Sequence, residues 1–192
     1  MSKEYEVTIL EIDNSFESKL IELGAKLVSD SMQKRYVYDV IPVNPNKWIR
    51  LRTNGNKTTL TVKEIKDKSA IGGTEEVEII VDSFDNTNNL LESLGYISRN
   101  YQENYRKMYN LNGIEISVDS WPMIPTYAEI EGKCEEDVLE VLKLLGYAEK
   151  DYTTLDVVSI YELYNIDIMK IKELKFKESQ TKSEEGMLEY NE

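Results

Sequence analysis

A two-residue rhythm of charge constrains this chain more than any other feature. In Lys3-Glu4-Tyr5-Glu6-Val7-Thr8-Ile9-Leu10, an extended backbone puts Glu4, Glu6 and Thr8 on one side and Tyr5, Val7 and Ile9 on the other. One such strand is an ordinary sheet surface with a wet face, but here the pattern recurs. Trp48, Arg50 and Arg52 alternate with Ile49 and Leu51, and Thr59, Thr61 and Lys63 with Leu60 and Val62. Glu76 and Glu78 alternate with Val77 and Ile79, and Glu115, Ser117 and Asp119 with Ile114, Ile116 and Val118. Tyr127, Glu129 and Glu131 alternate with Ala128 and Ile130. The charged faces are acidic towards both chain ends and basic in the middle. Such strands suit an interior lined for a ligand, with the apolar faces turned outward onto helices.

Helices to cover those faces are legible. Asp13 or Asn14 is placed to cap a helix through Phe16, Leu20 and Leu23 that stops at Gly24. The design repeats from Phe84 to Leu94, capped by Asp82 or Ser83, and from Glu135 to Leu145; these two both end in Leu-Gly-Tyr. Met32 to Val40 reads as a strand with Tyr36, Tyr38 and Val40 on one face and Arg35, Val37 and Asp39 on the other. Pro42 and Pro45 predict a loop before Trp48. Asn54-Gly55 predicts a tight hairpin that brings the Arg50/Arg52 strand beside the Lys63 strand. Residues 64–73 read as a surface loop, and 101–109 with 114–119 as a second hairpin around Asn112-Gly113. The segment Thr154 to Tyr164 is apolar enough to dock, and Lys170 to Glu192 reads as a charged helix or tail.

Composition removes whole classes of chemistry. The chain has 192 residues, enough for one domain plus a tail, and its 41% hydrophobic content supports a core. A formal charge of −13 speaks against nucleic acid and against an anionic membrane surface. With no histidine, serine–histidine triads and histidine-bound zinc are excluded, so a metal would be a hard, oxygen-bound ion such as Mg2+ or Mn2+. Cys134 is the only cysteine, which with the lack of a spanning or signal segment predicts a cytoplasmic protein.

The motifs taken in order resemble the CYTH family, the triphosphate tunnel proteins that include class IV adenylate cyclases and thiamine triphosphatases. Glu4-Tyr5-Glu6 matches the two glutamates of the family's Glu-x-Glu-x-Lys opening. Arg50-Leu51-Arg52 is similar to its paired arginines, Leu60-Thr61-Val62-Lys63 to its lysine strand, and Glu76-Val77-Glu78 to its next acidic pair. Arg106 stands where the family has a basic residue, and Asp119 with Glu129-Ile130-Glu131-Gly132 resembles its closing acidic motif. The signature lysine is Thr8 in this chain.

The resemblance spans residues 1–165 and leaves 166–192 as a charged tail or helix. It implies an α+β fold: a closed antiparallel eight-stranded barrel, or tunnel, with a charged interior and helices outside. The expected triphosphate ligands are Arg50, Arg52, Lys63 and Arg106, because a row of phosphates needs a row of cations and arginine grips phosphate bidentately. Lys107, on the opposite face, would replace Arg106 if the register slipped by one. Glu4, Glu6, Glu78, Asp119, Glu129 and Glu131 are the expected metal ligands. Glu4, Glu6, Lys63 and Arg106 are the expected catalytic set.

The implied reactions are hydrolysis of inorganic tripolyphosphate or of an organic triphosphate such as ATP or thiamine triphosphate, or cyclisation of ATP with release of pyrophosphate. A catalytically weak binding module is the third reading, motivated by Thr8. A homodimer is compatible with each.

Overall fold

The computed structural model describes residues 1–177; the remainder of the expected tail, 178–192, lies outside the described residues. In chain order the strands are β1 (Ser2–Ile9), β2 (Lys26–Asn44), β3 (Lys47–Thr53), β4 (Thr58–Ile65), β5 (Thr74–Val81), β6 (Ser98–Leu111), β7 (Ile114–Ser120), β8 (Tyr127–Gly132) and β9 (Glu173–Leu174). The helices are α1 (Ser15–Glu22), α2 (Phe84–Ser93), α3 (Glu135–Leu145) and α4 (Val157–Leu163).

Strand order is β2-β3-β4-β5-β1-β8-β7-β6, and β6 pairs back onto β2, so eight antiparallel strands close into a barrel. Closure leaves no open edge in the ring. The long β2 makes this possible: residues 26–38 pair with β6 while residues 34–44 pair with β3.

The outward faces carry the apolar residues that the alternation assigns to them. Val7, Ile9 and Ile130 are buried with Phe16 and Leu20 of α1 and with Val138, Val141, Leu142 and Leu145 of α3. Leu51 and Tyr38 pack with Leu91 of α2, and Val62 lies against that cluster. Each fully buried aliphatic side chain stabilises the fold by about 1.5–3 kcal/mol. The cover is incomplete over β5, where Val77 and Ile79 remain about half exposed. The first three helices stop at Gly24, Gly95 and Gly146, whose φ values of +89°, +89° and +80° explain the glycines. Ser83 caps α2 by accepting from the Asn86 N–H at 3.2 Å.

Three local expectations need correction. The stretch around Pro42 is strand, because β2 continues to Asn44 and pairs with Lys47, leaving only residues 45 and 46 to turn. Residues 64–73 are not simply surface loop: β4 reaches Ile65, Ile71 enters the core, and its carbonyl accepts from the Glu6 N–H at 3.1 Å. The segment expected as tail packs from its start, since Ile168 and Leu174 are buried and β9 adds in parallel to β6. There it joins Ile160 and Tyr161 of α4, Trp121 and Tyr127 in a cluster against one side of the barrel. No helix among the described residues is long and apolar enough to cross a membrane.

Candidate active site

Inside the barrel, the strand rhythm gathers the charges from distant parts of the sequence. Lys63 Nζ donates to Glu4 Oε1 at 2.5 Å and lies 3.6 Å from Glu76. Arg106 binds Asp119 and Glu129 at 2.7 and 2.6 Å. Arg50 and Arg52 share Glu78, at 3.7 and 3.8 Å, and Thr61 donates to the same carboxylate at 2.8 Å. Glu6 stands opposite Glu131 across the β1–β8 ladder, and Thr8 opposite Glu129. Lys107 points the other way, to Glu17 at 3.0 Å, so Arg106 is the interior residue of this pair.

The interior divides into a basic wall and an acidic wall. On β2 and β3, Arg35 is the direct ladder neighbour of Arg52, and Arg50 lies two residues away on β3. The guanidinium of Arg52 is pushed well below its usual proton affinity, first by Arg50 and then by burial. Burial, with Arg50 and Arg106 adding repulsion, lowers Arg35 to about 9. Arg35 Nε, Arg50 Nε and Thr59 Oγ1 are buried without a hydrogen-bond partner. Buried donors in that state cost stability, and an anion placed among them would satisfy them.

The acidic wall is under the opposite stress. Burial raises Glu6 well above the ordinary carboxylate range, and Glu129, Glu4 and Glu131 raise it further against the pull of Lys63. Burial and the nearby Glu4 push Glu131 up to about 7. Burial acts on Glu129 in the same direction, but Arg106, Lys63 and Arg35 outweigh it and hold that carboxyl below its usual value.

Of the six carboxylates expected to hold metal, Glu4, Glu6, Glu129 and Glu131 are brought together. Glu78 stands instead on the basic wall, and Asp119 is fully buried, its oxygens occupied by Asn104, Arg106 and Ser117. Among the described residues no three carboxylates already form a metal-binding group. Glu6 and Glu131 have no ion-pair partner among the described residues, whereas Glu4 and Glu129 are engaged by Lys63 and Arg106.

Sequence reasoning left out several interior residues. Arg35 is the most consequential, and its signal was its phase: it alternates with Tyr36 and shares a face with Val37. It reaches the interior from β2 and stacks on Trp121, 4.6 Å from the ring centroid. Asn104 is fully buried and links Arg35 to Asp119. Nothing local marks it, because its role depends on two other strands. Asn100 donates to the Ile168 carbonyl at 3.3 Å, tying the interior to the cluster beside α4.

No protein-family model matches the chain. A curated relative, the serine–tRNA ligase of Vesicomyosocius okutanii, is 26% identical over 155 residues. That match takes in 78% of this chain, which spans about a third (34%) of the ligase. Among solved structures, a conserved hypothetical protein of Pyrococcus furiosus superposes with a TM-score of 0.69 at 25% identity, over 80% of this chain and 97% of that one. A candidate adenylate cyclase of Vibrio parahaemolyticus gives 0.71 at 13% identity, over 84% and 98%. A Hippeastrum adenylyl cyclase homologue described as having a dominant triphosphatase activity gives 0.57 at 15% identity, over 88% and 99%.

Proposed function

We propose that this chain, which has the tunnel fold of the CYTH family, processes triphosphates, and that its reaction is hydrolysis of inorganic tripolyphosphate or an organic triphosphate. The observation that carries this reading is the crowding of Arg35, Arg50 and Arg52 on adjacent strands, with buried guanidinium nitrogens left unsatisfied. Three such cations packed together repel one another, so an elongated polyanion is the ligand that the wall lacks. Arg50, Arg52 and Arg35 would hold the phosphate chain, and Lys63 and Arg106 would reach it from the border with the acidic wall.

The acidic wall fits a hard divalent cation such as Mg2+ or Mn2+. Its donors are all oxygen, and burial, with repulsion from neighbouring carboxylates, raises the proton affinity of Glu6 and Glu131. Glu6 and Glu131 would hold the ion, with Glu4 and Glu129 completing the set. When bound, it would supply Lewis acidity to the phosphate oxygens. In hydrolysis, water attacks the terminal phosphorus, the bond to the bridging oxygen breaks, and the shorter phosphate leaves. The water's proton goes to a carboxylate of the acidic wall, where burial raises the proton affinity of Glu6 and Glu131. The chain's own share of catalysis is positioning and charge stabilisation by fixed arginines in a partly buried interior.

A binding module is the second reading, favoured by Thr8: it is 2% exposed and faces Glu129 where the family signature has lysine. Incubation with tripolyphosphate, ATP and thiamine triphosphate, each with Mg2+ or Mn2+, separates the readings. Hydrolysis releases orthophosphate. Cyclic AMP with pyrophosphate from ATP would replace the proposal with a cyclase, and saturable binding without turnover would replace it with the module.

A further inference from the structure

We infer that the chain carries a second ligand site outside the barrel, suited to a nucleoside monophosphate. A pocket of about 820 Å³ lies on the outer side of β2, between the start of α2 and the segment around β9. Its apolar wall is aromatic. Tyr36 stacks on Phe84 with centroids 5.2 Å apart and planes 16° from parallel, and Tyr101 meets Tyr36 edge-on at 5.2 Å. All three rings are only half-buried; Lys175 Nζ lies over Tyr101, 5.0 Å from its centroid, so the aromatic surface left for a planar heterocycle is that of Tyr36 and Phe84.

The charged part of the lining is mostly basic in a strongly acidic protein. Lys34, Arg99, Lys172 and Lys175 contribute four cations against the carboxylates of Asp85 and Glu173. Lys175 is committed to Glu173 at 2.9 Å, and Arg99 to Asp39 at 3.1 Å. Lys34 and Lys172 have no ion-pair partner among the described residues, and Arg99 Nε is buried without an acceptor. Among the described residues Lys172 Nζ reaches only the Arg99 carbonyl, at 3.5 Å, so it and Lys34 are two ammonium groups without a carboxylate, a match for one phosphate group, which carries about −1.5 to −2 charges at neutral pH. A longer phosphate chain would meet the carboxylates of Asp85 and Glu173, and the other two cations of the lining, Arg99 and Lys175, are already ion-paired. The joint demand for a ring and a single phosphate selects the monophosphate class.

This pocket and the tunnel lie back to back. Lys34 and Tyr36 flank Arg35 on β2, and Thr53 follows Arg52 on β3, so the same strands present different residues to each site. The inference stands on the pocket alone and does not require the tunnel to be catalytic.

Equilibrium dialysis of the full chain against AMP tests it, with adenosine and inorganic phosphate as the separated halves. AMP should bind saturably, and each half should bind at least about tenfold more weakly. Lys34→Gln with Lys172→Gln should weaken AMP about tenfold, because both side chains are exposed and their loss leaves the core intact. Excess tripolyphosphate should leave AMP bound, since it occupies the other side of the sheet. A thermal midpoint unchanged by the double substitution checks folding, and Lys34→Glu alone gives the same reading if the pair proves unstable. No saturable AMP binding, binding unaffected by the lysine changes, or displacement by tripolyphosphate would each overturn the inference.

Discussion

The two walls of the tunnel follow the same alternation rule but differ in how their charges are compensated. Arg106 and Lys63, at the border, have carboxylates within 2.5–2.7 Å. Arg35 faces Arg52, and among the described residues Glu78 is the one carboxylate in ion-pair contact with Arg50 and Arg52, at 3.7 and 3.8 Å. Border cations are therefore compensated within the fold, whereas the arginine wall keeps like charges side by side and buried nitrogens without a partner. A residue's charge and its place inside the barrel do not separate these roles, because Arg106 and Arg35 are both interior arginines, the first partly buried and the second buried. What separates them is whether opposite charge or like charge lies next to them.

Substitution at each place should divide the roles. Arg106→Gln strands Asp119 and Glu129 without their cation, so unfolding stability should fall by about 3–5 kcal/mol. A denaturant titration measures this, and a loss below about 1 kcal/mol would erase the distinction between border and wall. Arg50→Ala should do the reverse. Relief of repulsion should leave the denaturation midpoint unchanged or higher, while kcat/KM for the triphosphate falls at least about a hundredfold. A destabilised Arg50→Ala protein with intact kinetics would invert the account.

Smaller changes sharpen the comparison at the acidic wall. Thr8→Lys places a cation opposite Glu129, and turnover should rise about tenfold if that position lacks a phosphate contact. An active protein slowed by the change would show that Arg106 already serves that position.

The smallest effect is the pH dependence of stability without divalent metal. Glu131 has a folded value of about 7 against 4.5 when unperturbed, so the folded state binds more protons between these values. Stability from this group is then fully present below about pH 4.5 and lost as pH rises through 7. The midpoint should decline between pH 5 and 8, and Glu131→Gln should flatten that decline. A wild-type midpoint that climbs over this range would show that Glu131 titrates normally.

Much of this was legible in the sequence because strand alternation is a local property. Once Glu4/Glu6, Arg50/Arg52 and Glu129/Glu131 had been assigned to one face, closure of the sheet brought them together. The Asn54-Gly55 hairpin likewise fixed the pairing of β3 with β4. Long-range partners were not legible. Glu78 was grouped with the acids by type, but the β4–β5 register sets it opposite Thr61, beside the arginines. Arg35 depends on β2 pairing with both β3 and β6, and no short motif encodes that. The packing of residues 168–174 was hidden because their apolar residues are interspersed with Lys170, Lys172 and Glu173, and the value of Ile168 and Leu174 depends on Trp121 and Tyr161 across the cluster.

The central claim is that two mutually stressed walls are made to hold a polyanion and a cation between them. Thermal unfolding with tripolyphosphate, with Mg2+ and with both tests it most directly. Ligands at about a hundred times their dissociation constant add about 2.7 kcal/mol to the folded state, which corresponds to a rise of several degrees. The account predicts that rise with both ligands together, a much smaller one with either alone, and its loss in the Glu129→Gln, Glu131→Gln double variant. A full joint shift that survives in that variant, or no shift at all in the wild-type chain, would contradict it.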